Sequence, residues 1–129
     1  MPGGRPLRVL LVEDEPKLAY AVRVLLELDG SCVVVDTAPD GAVGVGAALL
    51  QRPDVVVLDI RTPLVDGIDA ATQIFSAWPD ARIIFYSADD DELARAQATH
   101  PCATVRKDAL ADELVPAVHT AAHVGGAPA

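Results

Sequence analysis

The chain has 129 residues, enough for one domain with a sizeable core, and its 51% hydrophobic content excludes a disordered protein. A net charge of −9 argues against direct nucleic-acid binding by this domain, because neutralising phosphates takes clustered Lys and Arg, and it favours basic or cationic partners. Eight of the ten basic residues are Arg, so the two lysines, Lys17 and Lys107, stand out.

Residues 7–12, Leu-Arg-Val-Leu-Leu-Val, read as a first apolar strand, and Glu13-Asp14-Glu15 follow at its end. The apolar run is too short for a signal-peptide core or a membrane span, so a cytoplasmic protein is expected. Pro16 suits a helix first turn, and Leu18, Ala21, Val22, Leu25 and Leu28 recur at helical spacing until Gly30. Cys32–Val35 reads as a second strand and residues 40–51 as a second helix. That helix is expected to be the weakest, since Gly41, Gly44 and Gly46 each cost up to about 1 kcal/mol relative to alanine. Gly44 and Gly46 lack a third glycine at dinucleotide-binding spacing and read as small-residue packing. Cys32 and Cys102 form no CxxC and read as reduced, buried thiols.

The centre of the chain is Val55-Val56-Val57-Leu58-Asp59, a run apolar enough for a strand covered on both faces. Asp59 ends it, at the carboxyl edge where open α/β sheets keep their ligand chemistry. Pro63 stops the strand and Asp66-Gly67 starts a helix whose stripe is Ile68, Ala71, Ile74, Phe75 and Trp78, closed by Pro79, with Trp78 in the core. Arg82–Tyr86 form a fourth strand ending in Ser87-Ala88. Asp89-Asp90-Asp91-Glu92 open a fourth helix, as solvated acids at its positive dipole end. Residues 103–107 form a short fifth strand ending in Lys107, and Leu110, Leu114, Val118 and Ala121 mark the last helix, with a late start or kink expected at Pro116. Residues 1–123 are thus one domain, and 124–129 read as a flexible tail or the start of a linker. His100 is expected to be exposed. His119 and His123, four apart, lack the glutamate of a zinc-protease motif and are not expected to share a metal.

Five strand-helix repeats without a hairpin signal imply one parallel sheet with helices on both faces. Four strands end in groups that handle charged oxygens: Glu13 and Asp14, Asp59, Ser87, and Lys107. Holding several carboxylates ionised together needs a cation, and oxygen-only donors favour Mg²⁺. Asp59 would be the nucleophile toward a phosphoryl group, with Lys107 offsetting charge and Ser87 donating a hydrogen bond. Singly the residues have plainer readings: solvated turns for the acids, a charged turn of Arg106, Lys107 and Asp108, and a helix cap for Ser87.

Val-Glu-Asp-Glu-Pro after the first strand, Leu-Asp-Ile-Arg-Thr-Pro-Leu-Val-Asp-Gly at the third, Ser-Ala after the fourth and Lys-Asp after the fifth resemble the receiver domain of bacterial two-component response regulators, including receivers joined to helix-turn-helix output domains. The resemblance spans residues 7 to about 123. It implies a flavodoxin-like sheet of order 2-1-3-4-5 and phosphorylation of Asp59 by a histidine kinase or phosphotransfer protein. It also implies Mg²⁺ held by Asp14, Asp59 and the Arg61 backbone carbonyl, with Glu13 acting through water, and an output domain or effector protein as reader of the signal. Lys107 would contact the phosphoryl group and Ser87 would move toward it. The face of the fourth helix, fifth strand and fifth helix is, by the same resemblance, a candidate homodimer surface. Thr62 departs from the usual Met, and Thr104 stands where an aromatic switch residue is common. Asp108 replaces a frequent proline, so no cis peptide is expected after Lys107.

The domain is read as a switch and not an enzyme beyond its own phosphorylation and autodephosphorylation. Two readings compete. One is a receiver-like interaction module independent of phosphorylation, for which Thr62 and Thr104 leave room. The other is a haloacid-dehalogenase-type phosphatase, which carries Asp-x-Asp after its first strand where this chain has Glu13-Asp14-Glu15, and which needs a cap domain.

Overall fold

A computed structural model describes residues 4–123; the expected tail at 124–129 lies outside the described residues. Five strands, β1 (Leu7–Val12), β2 (Cys32–Ala38), β3 (Val55–Asp59), β4 (Ile83–Ser87) and β5 (Ala103–Arg106), form one sheet in the order β2-β1-β3-β4-β5. Every ladder is parallel. The helices are α1 (Pro16–Glu27), α2 (Gly41–Gln51), α3 (Gly67–Ala77), α4 (Asp90–Thr99) and α5 (Leu110–His123), with a 3₁₀ turn at Lys107–Ala109. No helix among the described residues is long and apolar enough to cross a membrane.

Alternation along the strands divides the core in two. Val9, Leu11, Val55, Val57, Ile84, Tyr86 and Val105 pack against α1 and α5. Leu10, Val12, Val56, Leu58, Ile83 and Phe85 pack against α2, α3 and α4. The central strand β3 is buried throughout, which is why its sequence runs apolar without alternation. β2 extends three residues beyond the expected Val35, through exposed Asp36 and Thr37 to buried Ala38. As an edge strand it needs apolar side chains only where β1 and a helix cover it.

Side chains cap the helix starts: Glu15 accepts from the Leu18 amide, Asp40 from Val43, Asp66 from Asp69, and Asp89 from Asp91 and Glu92. The glycines of α2 differ in use. A Cβ at Gly44 would lie 2.9 Å from Val12 Cγ2 and one at Gly41 only 1.8 Å from the Val65 carbonyl oxygen, whereas Gly46 faces open space. Small-residue packing therefore holds for Gly41 and Gly44 and not for Gly46.

Several expectations are corrected. α5 begins at Leu110 and continues through Pro116, so the late start does not occur; its first turns lie over the buried Leu110 and Leu114. Trp78 is half-buried at the core margin, with the Arg52 guanidinium 5.3 Å above its ring. Cys32 is buried but Cys102 is only half-buried; both are free thiols. His100 is half-buried, its ring against Phe75 and Phe85 and its Nε2 2.8 Å from Thr72 Oγ1. The described peptide bonds are all trans.

Candidate phosphoryl and metal site at the carboxyl edge

The carboxyl ends of the strands gather the expected residues. Asp59 continues the row of Val55 and Val57 on the α1/α5 face, Glu13 that of Val9 and Leu11, and Lys107 that of Val105. Asp59 is 1% exposed and Glu13 3%. The Lys107 ammonium enters between them, 2.9 Å from Asp59 Oδ2 and 3.4 Å from Glu13 Oε1. The plain charged-turn reading therefore belongs to Arg106, which pairs with Asp90 and Asp108, and not to Lys107.

The loop after β3 is fixed by its own backbone. The Arg61 amide donates to Asp59 Oδ1 at 3.0 Å and the Gly67 amide to the Ile60 carbonyl at 2.7 Å. A Cβ at Gly67 would sit 2.4 Å from the Asp59 carbonyl oxygen, so only glycine lets α3 start this close to the strand end. Thr62 is buried and donates to the Val65 carbonyl at 2.5 Å, so its role is in holding the loop.

Glu13, Asp14 and Asp59 each offer a carboxylate oxygen within 4.8 Å of the others. The donor set fits a hard cation: three carboxylates gather, only two of them paired with the Lys107 ammonium, and neither His nor Cys takes part. Glu13 has both oxygens committed, Oε1 to the Tyr86 hydroxyl and Oε2 to the Glu15 amide at 3.0 Å. Those two bonds fix its carboxylate in place, while Asp14 is exposed to solvent beside it.

The two buried carboxyls are driven in opposite directions. Burial pushes Asp59 up to about 6, aided by the charge of Glu13 and resisted by Lys107. For Glu13 burial acts the same way, but the bonds from Tyr86 and the Glu15 amide, with the Lys107 charge, hold it below the ordinary range. Burial opposes the Lys107 charge as well, and its two carboxylate partners still raise it. Burial first, then Glu13, pushes the Tyr86 phenol far up, so Tyr86 stays a neutral donor.

Ser87 is 2% exposed at the end of β4. Its hydroxyl donates to Glu92 Oε1 at 2.6 Å and accepts the Asp89 amide at 3.0 Å, while the cap of α4 is Asp89. Glu92 is thus no solvated first-turn acid: its second oxygen lies 2.5 Å from Arg61 Nε, and Arg61 also reaches Asp89 at 3.5 Å. For Glu92 burial acts to raise the carboxyl, and the bonds from Arg61 and Ser87 outweigh it and hold it low. Thr104 lies half-buried opposite Phe85 on β5. A cleft of about 750 Å³ opens here, lined by Asp59, Arg61, Ser87, Glu92, Arg106 and Lys107 among others.

Tyr86 and Glu92 are the participants that the sequence reading missed. Tyr86 reads as one more apolar strand residue, although its position one place before Ser87 puts its ring on the Asp59 side of the sheet. Glu92 is hidden within an acidic run that helix-dipole chemistry already explains.

The sequence profile of the response regulator receiver domain matches residues 9–119. The chain belongs to that family. This receiver is 40% identical over 87 residues to a Mycobacterium tuberculosis protein named "Probable transcriptional regulatory protein TcrX", covering 67% of this chain and 36% of that one. It is 39% identical over 92 residues to protein-glutamate methylesterase/protein-glutamine glutaminase 5 of Geobacter metallireducens, covering 71% of this chain and 26% of that one. The receiver thus spans about a third or less of the length of these two relatives. Among solved structures it is similar to the signal receiver domain of NarL from Mycobacterium tuberculosis, with a TM-score of 0.85 and 30% identity over 94% of this chain and 99% of that one. The sheet order, the five helices and the family expected from the sequence are all as found.

Proposed function

We propose that this receiver is a phosphorylation-dependent signalling switch in which Asp59 accepts a phosphoryl group from the phosphohistidine of a histidine kinase or phosphotransfer protein. The observation that carries the reading is the Lys107 ammonium 2.9 Å from a buried Asp59 carboxylate that shares its pocket with Glu13 and Asp14. In the transfer, a carboxylate oxygen of Asp59 forms a bond to phosphorus, the phosphorus–nitrogen bond breaks, and the donor imidazole keeps the bonding pair and is protonated. Lys107 offsets charge on the incoming group as a point charge, and the Ser87 hydroxyl is available as a donor once it turns from Glu92.

Asp14, Asp59 and the Arg61 carbonyl would hold Mg²⁺, with Glu13 acting through water; the bound ion supplies neutralisation of phosphoryl oxygens. The Tyr86 hydroxyl and the Glu15 amide keep Glu13 oriented for that role. An effector protein or output domain in the cytoplasm would read the phosphorylated form. The domain turns over no other substrate on this reading.

The test is to incubate the protein with a small phosphodonor and Mg²⁺ and to record intact mass and acid lability. One acid-labile phosphate is expected on the parent protein and none on Asp59→Asn. Equal uptake by Asp59→Asn would reject the assignment, and uptake by neither protein, with no response to Mg²⁺ and beryllofluoride, would favour a phosphorylation-independent interaction module.

A further inference from the structure

Glu92 is bound into the site at both oxygens although the proposed phosphoryl chemistry has no use for it. Its side chain is 13% exposed, and its two partners are the Ser87 hydroxyl at 2.6 Å and Arg61 Nε at 2.5 Å. Both partners line the same cleft as Asp59 and Lys107.

We propose that Glu92 is a positioning residue that competes internally with the phosphoryl group on Asp59, because its carboxylate holds the Ser87 hydroxyl and the Arg61 guanidinium that an anion on Asp59 would recruit. The proposal rests on the phosphoacceptor reading of Asp59. A hydroxyl has one proton, and that of Ser87 already goes to Glu92; its oxygen accepts the Asp89 amide at 3.0 Å. Donation to Glu92 and donation to a phosphoryl oxygen are therefore mutually exclusive. A carboxylate lining the same cleft as Asp59 also repels an incoming anion, so removing its charge should favour binding on both counts.

The exchange has a structural consequence. Glu92 is the third residue of α4, so a phosphoryl group that takes Ser87 releases a carboxylate tying the first turn of α4 to β4 and to the loop after β3. By reciprocity, a partner that pulls Glu92 away from Ser87 favours phosphorylation by the same factor. This gives Ser87 a route to α4 that needs no aromatic residue at position 104.

Beryllofluoride with Mg²⁺ serves as the probe, titrated against the full chain while backbone amide shifts and the Arg61 Nε resonance are recorded. Glu92→Gln is expected to bind roughly tenfold more tightly than the parent, the scale of one charge-assisted hydrogen bond no longer opposed. That gain should fall by more than half in a Ser87→Ala background, since the coupling passes through the hydroxyl. Glu92→Asp, which keeps the charge on a shorter stem, should fall between the parent and Glu92→Gln. A merely structural acid would give unchanged or weaker binding on removal, and that result overturns the proposal while leaving Asp59 as phosphoacceptor. An equal gain with and without Ser87 overturns it too. If the parent itself binds no beryllofluoride, the phosphoacceptor reading falls and this inference falls with it.

Discussion

The two edges of the sheet carry similar residues to different effect. At the amino edge a recess of about 280 Å³ is lined by Arg5, Leu7, Asp29, Ser31, His119 and His123. Ser31 Oγ lies 2.9 Å from His119 Nε2, the Ser31 amide donates to Asp29, and His123 Nδ1 meets the His119 carbonyl. Serine, histidine and a carboxylate are all present, but each is satisfied by a neighbour and the acid is exposed. The stacked rings of His119 and His123, 6.4 Å apart, belong to no metal-competent cluster found among the described residues. At the carboxyl edge two buried carboxylates, with a third beside them, share a single ammonium. What marks a site is this uncompensated buried charge, and the residue types alone do not distinguish the two edges.

Glycines sharpen the comparison with the largest expected effect. Gly67→Ala would drive a Cβ to 2.4 Å from the Asp59 carbonyl oxygen and 2.6 Å from Ile60 Cα, both backbone atoms that cannot yield cheaply. Urea denaturation should show a loss of about 3 kcal/mol, the upper range for overpacking. Gly30, near the amino edge, has φ 79° and nothing within 4 Å, so Gly30→Ala meets only backbone strain and should cost about 1 kcal/mol. Equal losses at the two positions would mean that the loop after β3 is not under the constraint described.

A second contrast sets Lys107→Ala against His119→Ala. Loss of the ammonium leaves Asp59 and Glu13 facing each other without a counter-charge, and at neutral pH should cost about 2 kcal/mol, less than for a fully buried pair because Lys107 still reaches solvent. Phosphate uptake should fall at least tenfold, as expected for loss of a charged contact to the transferring group. His119→Ala should leave uptake unchanged and cost about 1 kcal/mol through its hydrogen bond to Ser31. Denaturation curves and uptake by intact mass check both. Unimpaired uptake by Lys107→Ala would remove Lys107 from the proposed site.

Much of the carboxyl edge was legible because strand ends in a parallel sheet are fixed by chain direction. Once the runs ending at Val12, Asp59, Ser87 and Arg106 are recognised, Glu13, Asp14, Asp59, Ser87 and Lys107 must share one edge. Side-chain partners were not legible in the same way. That Ser87 turns to Glu92 depends on the distance at which α4 leaves β4, and that Tyr86 tethers Glu13 depends on the register of β4 against β3, in which Tyr86 lies beside Asp59. The sheltering of His100 arises from the return of the chain after α4 toward Phe75 on α3, a contact with no sequence period. Pro116 misled only as to where α5 starts: the helix begins at Leu110, with Leu110 and Leu114 buried ahead of the proline, and continues through it.

The smallest expected effect bears on the electrostatic half of the comparison. Asp59 binds its proton more tightly in the folded chain, at about 6, than an unperturbed carboxyl does, so the native state holds the extra proton between about pH 4 and 6. Stability associated with this group is therefore present at low pH and lost as pH rises through that window. Asp59→Asn cannot ionise, and its stability relative to the parent should grow from near zero at pH 4 to about 1–2 kcal/mol at pH 7. The two-unit shift sets roughly 3 kcal/mol as the ceiling for this change, with the attraction of Lys107 already included in the shift. Asp29 at the amino edge, held below the usual range by the hydroxyl and amide of Ser31, is fully exposed, and Asp29→Asn should show no such divergence. Mg²⁺ sharpens the test further: it should stabilise the parent at pH 7 far more than at pH 4, where Asp59 is protonated, and should do little for Asp59→Asn at either pH. Parallel curves for the parent and Asp59→Asn across pH 4–7 would show that Lys107 compensates the buried charge completely, and the two edges would then differ in geometry alone.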